Sequence, residues 1–258
     1  MKKSLRHVKI LTILALLCIC AGTLWAVEAH VTADSMVYHS RTGDFTADGN
    51  VRIQRVDLLI MAPTGKGNLD NRHVTLLGGV HITGKWEQEP VDLKSTTLEG
   101  DLSENGWYSL LGGVSGYIGP RSVEAQELKV SKTAFEAEKV KKFEDSQQKM
   151  FLSASSIKGK IKNGETSDIQ ASGNVVIIIT GTDGQKTRIT GSNAVYSQAQ
   201  DLVKVRGNAL AVQPERTLRA EEILYSPKSG KMSASGKPQV TIQMQDKKGN
   251  SEDERKDS

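Results

Sequence analysis

Cysteine is nearly missing from this chain: 258 residues hold only Cys18 and Cys20, both inside one apolar run near the N-terminus. Beyond that run neither a disulfide framework nor thiol chemistry is available. Neither cysteine follows the small residue that lipoprotein processing favours. Aromatic residues make up 5% of the sequence, too few for rows of base-stacking rings. No sign of charge dominates either, with 34 basic against 30 acidic residues spread along the chain. That is a solvated surface without the clustered Lys and Arg of a nucleic-acid footprint, so no nucleic-acid partner is expected. No stretch rich in Pro, Gly or Ser divides the middle into separate domains.

Catalytic signatures are equally sparse. His7, His30, His39, His73 and His81 have no metal-ligand spacing. Gly-Lys pairs occur at 65–66, 84–85, 159–160, 230–231 and 236–237, none followed by Ser or Thr, so a phosphate-binding loop is excluded. Ser155-x-x-Lys158 matches a nucleophile motif only formally, because its partner motifs are missing. Asp34, Asp44, Asp48, Glu221 and Glu222 fall at unit starts and turns, where acids are ordinary. The expectation is a non-enzyme with no cofactor, no metal and no catalytic residue.

What is present begins with Lys2, Lys3, Arg6 and Lys9, followed by an apolar run from about Ile10 to Trp25 and then Ala26 and Ala29. This is the layout of a secretory signal over residues 1–29, cut near Val27-Glu28-Ala29. The competing reading is an uncleaved anchor, since residues 8–27 are just long enough to span a bilayer. At the other end, residues 246–258 contain no apolar side chain and read as a disordered polar tail.

Between these ends the sequence repeats. ADGNVRI at 47–53 returns as ASGNVVI at 171–177. Around these phrases lies a longer unit starting at Ala33, Ala62, Ser95, Ala125, Ala154, Gly191 and Ala220. Each unit opens on a half-apolar segment, crosses polar and turn residues, and reaches a second segment such as GNVRI, GGVHI or GNVVIII. In the fourth unit the equivalent point is the degenerate EKVKKF, 138–143. Alternation such as Val51-x-Ile53 points side chains to one face of a strand. Gly and Asn reach positive φ most readily, so GN and GG read as turns leading into strands. The charges of residues 135–149 could support a helical turn, but the stretch also fits the fourth unit with a long charged loop, which is the favoured reading. Seven units of two strands predict an all-β chain.

The AD/AE-x-x-x-Y openings, the GNV-type strands and the closing LRAEEILYSPKSGKMSASGKPQVTIQMQDKKGN (218–250) resemble the OstA-like (LptA) family of lipopolysaccharide-transport proteins. The likeness runs from Ala33 to Met244. It implies an elongated, twisted open β-jellyroll of about fourteen to sixteen antiparallel strands over residues 30–245. It also implies a periplasmic, non-catalytic carrier whose interior groove takes the acyl chains of lipopolysaccharide. Expected partners are lipopolysaccharide, an inner-membrane export transporter with its anchored subunit, an outer-membrane assembly protein, and further copies joined head to tail. The anchored relative LptC shares the fold, so a cleaved leader and a retained anchor both stay open.

The groove candidates are the alternating apolar residues of the second segments: Val51, Ile53, Val80, Ile82, Val114, Ile118, Val175, Ile177, Val240, Ile242 and Met244. Residues at such spacing also make an ordinary packed core. Arg52, Arg55 and Lys85 are candidates to meet lipid phosphates, or plain solvated surface. Exposed strand edges near Val31–Tyr38 and Val240–Met244 suit pairing with another chain. Two other classes compete, a structural or adhesive β-repeat surface protein and a polysaccharide-active β-helix enzyme. The second would show a shorter unit and a cluster of acids, and neither is found.

Overall fold

The computed structural model describes residues 29–243 apart from 87, 104, 163–164 and 182–183. The expected polar tail, Met244, both cysteines and all of the expected leader but Ala29 lie outside the described residues. The repeats form sixteen antiparallel strands. In chain order these are β1 (Ala29–Thr32), β2 (Ser35–His39), β3 (Asp44–Arg55), β4 (Leu58–Asn68), β5 (His73–Trp86), β6 (Glu89–Asp101), β7 (Tyr108–Ile118) and β8 (Arg121–Val130). They continue as β9 (Ala134–Asp145), β10 (Met150–Lys162), β11 (Glu165–Thr180), β12 (Lys186–Ser197), β13 (Leu202–Gln213), β14 (Arg216–Tyr225), β15 (Met232–Ser235) and β16 (Gln239–Ile242). From β3 to β14 each strand pairs with the next, and the sheet does not close. At one end β1 and β2 cover the two halves of β3; at the other, β16 and β15 cover the two halves of β14.

The glycine pairs are not the hairpin turns that the sequence pattern predicts. Gly49 and Asn50 sit in the middle of β3 with φ of 75° and 50°. There the pairing with β4 slips between Asp48 and Val51. A register slip falls mid-strand in every long pair from β3·β4 to β13·β14. Such a bulge bends the strand sharply. The bend is held at the first corner by side chains: the Asn50 amide donates to the Asp34 carboxylate at 2.8 Å, and the Asp34 backbone N–H donates to the Gly49 carbonyl. The hairpin turns themselves lie elsewhere, for example at Val56-Asp57 between β3 and β4.

Because each strand bends, its two halves face each other. Phe135 and Phe143 are eight residues apart on β9, which would separate them by about 26 Å in an extended strand. Their rings instead stack at 5.5 Å with 12° between planes. Trp86 and Tyr108, on opposite halves, meet edge to face at 5.2 Å. The segment expected to be a charged loop is therefore strand β9 followed by a turn at 146–149. Its charges alternate with Phe135, Ala137, Val140 and Phe143, which are buried, so its outer face is polar and its inner face apolar up to the buried Asp145 at its end.

Cross-strand register turns the alternation into continuous rows. On one half the partners run Val31, Ile53, Ile60, Ile82, Leu93, Gly116, Val123, Phe143, Leu152, Ile177, Ile189, Ala211, Leu218 and Val240, apolar throughout. The facing half carries a row in which rings lie beside glycines: Phe45 next to Gly67, Tyr108 next to Gly100, and Phe135 next to Gly159. A ring fills the space that glycine leaves open, and this close packing of sheet neighbours stabilises the row.

Candidate functional site

The interior between the two halves is the site that the sequence points to. Val51, Ile53, Val80, Ile82, Val114, Val175 and Ile177 are all buried there. They belong to one half of the bent sheet, which brings residues more than 120 positions apart onto a shared surface. Val240 and Ile242 are on the last strand and stand 63% exposed, continuing the interior surface to an uncovered edge. Ile118 is half-buried at a strand end. Arg52 is exposed on the outer face, Lys85 is exposed, and Arg55 turns inward, donating from Nη1 to the Tyr108 hydroxyl at 3.4 Å.

Most of this interior is filled by its own side chains. A mainly apolar cavity of about 80 Å³ opens between the strand ends of β5 to β11, opposite the corners, and a larger, more polar one of about 330 Å³ lies by Thr187, Gln213 and Tyr225. The floor of the apolar cavity is Leu128, Phe135, Ala137, Val140, Phe143 and Ile157, with Trp86, Ile118, Val123 and Ile161 at the sides. The degenerate fourth unit causes it. Two phenylalanines stack on each other there, and the ring of one, Phe135, lies against Gly159.

Polar groups around the cleft are few. Arg121 Nε lies 3.6 Å from the Asp145 carboxylate, and both side chains are nearly buried. The same carboxylate accepts the backbone N–H groups of Gln147 and Gln148 at 3.0 Å each, so its burial is compensated. Lys132 and Glu89 are at the rim. Thr166, 1% exposed, lines the cleft with a hydroxyl that has no hydrogen-bond partner. Nearby, burial pushes the Tyr196 phenol up to about 12, with Asp201 and Asp145 adding to the shift. Burial also raises Tyr108, while the hydrogen bond from Arg55 works against it.

Sequence reasoning missed the cleft residues Phe135, Phe143, Arg121, Lys132 and Thr166. The one usable signal was the departure of EKVKKF from the GN pattern. Among the described residues no group of three or more His, Cys, Asp or Glu is placed to hold a metal. Among the described residues there is no helix long and apolar enough to cross a membrane.

Comparison with known proteins finds a family likeness. Residues 108–231 match the family model described as LptA/(LptD N-terminal domain) LPS transport protein, which bears out the resemblance of the repeats to the OstA-like (LptA) family. The matched stretch runs from β7 past β14 and contains most of the cleft. No curated protein gives a significant match. Among solved structures, LptH from Pseudomonas aeruginosa aligns at 12% identity over 85% of this chain and 96% of that one, with a TM-score of 0.23. LptH is described as the LptA homologous periplasmic component of the conserved lipopolysaccharide transport device.

Proposed function

We propose that this LptA-like lipopolysaccharide-transport protein works in the periplasm, taking the acyl chains of lipopolysaccharide between the two halves of its bent sheet. It passes the lipid along without catalysis. The observation that carries this reading is the unbroken apolar row from Val31 to Val240, one residue per strand. Each acyl methylene buried against such a surface contributes roughly 0.8 kcal/mol. The interior is nearly filled, whereas pockets for drug-sized ligands span about 300–1,000 Å³. Loading therefore requires the halves to move apart, which an open sheet without edge-to-edge closure permits. Energy for directed movement comes from an inner-membrane transporter and its anchored subunit, and delivery is to an outer-membrane assembly protein.

Copies joined head to tail extend the same path. At one end β2 exposes Met36, Val37 and Tyr38, and at the other β16 exposes Val240 and Ile242. A contact between unlike ends does not close, so it propagates as a filament. In this reading residues 30–245 form the working domain and residues 1–29 direct export.

Photocrosslinking in cells tests the carrier. A benzophenone side chain at Val51 or Ile177 should capture lipopolysaccharide, and one at exposed Arg52 should not. Equal capture at all three positions, or none at any, refutes the reading.

A further inference from the structure

Among the described residues, the Thr166 hydroxyl is a fully buried polar group in the wall of the cleft with no hydrogen-bond partner. Burying a hydroxyl without a partner costs free energy, so a position that keeps it is a candidate for meeting a ligand acceptor. The cleft around it is otherwise apolar, apart from Arg121, ion-paired with Asp145 at 3.6 Å, Ser122, whose hydroxyl donates to Glu144, and Lys132 and Glu89, which oppose each other in charge. A peptide does not fit this chemistry, because every residue entering would bring an N–H and a carbonyl needing partners. A hydrocarbon chain with a single carbonyl does fit.

We propose that the cleft between the ends of β8 to β11 is a subsite for the head-proximal part of one acyl chain, with the Thr166 hydroxyl donating to its ester or amide carbonyl. The first methylenes lie against Phe135, Phe143 and Ile157, and the rest of the chain continues into the apolar row that passes through Phe143. This inference rests on the acyl-carrier reading and narrows it. Lipid engages at one preformed point in the middle of the molecule, at the linkage between chain and headgroup.

The test uses the purified full chain and two lysophosphatidylcholines with a brominated chain, one ester-linked and one an ether analogue without the carbonyl. Bromine quenches nearby tryptophan, and Trp86 borders the cleft. Both lipids should quench the fluorescence, and Trp86→Phe should remove most of the quenching. Thr166→Val keeps the shape of the side chain and deletes the hydroxyl. It should weaken the ester lipid about three- to tenfold, the range of one net hydrogen bond, and leave the ether analogue unchanged. Its melting temperature should equal or exceed that of the parent, which separates lost binding from lost folding.

Equal affinity of Thr166→Val and parent for the ester lipid overturns the carbonyl contact. Quenching that survives Trp86→Phe places the chain elsewhere and overturns the subsite. If neither probe binds while lipopolysaccharide still crosslinks at Val51 and Ile177, the subsite is wrong and the carrier stands. If crosslinking fails there too, both are wrong.

Discussion

Replacing Gly159 by alanine tests whether the ring-and-glycine row holds the two halves together. A Cβ at position 159 would lie 2.1 Å from Cε1 and 2.3 Å from Cζ of Phe135. Carbon atoms in contact sit about 3.5–4.0 Å apart, so the ring must move by roughly 1.5 Å. Its far face is already stacked on Phe143, which leaves the cleft as its way out. Overpacking of this kind costs about 1–3 kcal/mol. Losing a strand glycine returns about 0.5–1 kcal/mol. Gly159→Ala should therefore destabilise the domain by about 1–2 kcal/mol, visible as a fall in melting temperature of about 2–8 °C by circular dichroism. Phe135→Leu removes the ring edge that the new methyl group meets. The double variant should be more stable than the sum of the singles by about 1 kcal/mol or more in urea titrations. Additivity of the two changes within about 0.5 kcal/mol would refute the packing argument.

Other perturbations reach different parts of the structure. Asn174 holds φ of 51° at the mid-strand corner of β11; Asn174→Val should cost about 1–2 kcal/mol in thermal unfolding, and Asn174→Gly should be nearly neutral. Arg121→Leu removes the cation beside the buried Asp145 carboxylate, which keeps its two backbone donors, and should cost about 1–3 kcal/mol in urea denaturation, whereas Asp145→Leu, which also deprives Gln147 and Gln148 of their acceptor, should cost more. Tyr196 is raised to about 12 from an ordinary 10.0, so its contribution to stability is complete below pH 10.0 and is lost as the pH climbs through about 12. Tyr196→Phe should delete this late phase from an ultraviolet titration of phenolate and flatten the loss of stability over that window.

The strand content and the inward-facing residues were legible because alternation is a local property. Val51-x-Ile53 and Val80-x-Ile82 show their buried face without reference to anything distant. The geometry of the glycine pairs was not legible, because a hairpin turn and a mid-strand bulge ask for the same positive φ. The turn at Val56-Asp57 made matters worse: Val56 takes φ of 48° with no Gly or Asn to advertise it. Strand β9 was hidden for another reason. Its outward residues Glu136, Glu138 and Lys141 are charged, and across its centre the buried positions Ala137, Val140 and Phe143 come three apart, which breaks the period-two pattern. Thr166 gave no signal at all, since an unpartnered hydroxyl is a fact of packing.

The order of strands from β3 to β14, each bonded only to its neighbours in sequence, gives the molecule the character of a ruler. Its length is set by the number of hairpins, with each pair of strands adding about 10 Å. Backbone pairing is confined to neighbouring strands, so removing or duplicating a whole unit changes the span and disturbs only the junctions and side-chain contacts beside or across it, such as that of Arg55 with Tyr108. A chain with fewer units would thus be shorter while remaining folded, and a chain with more would be longer by the same increment.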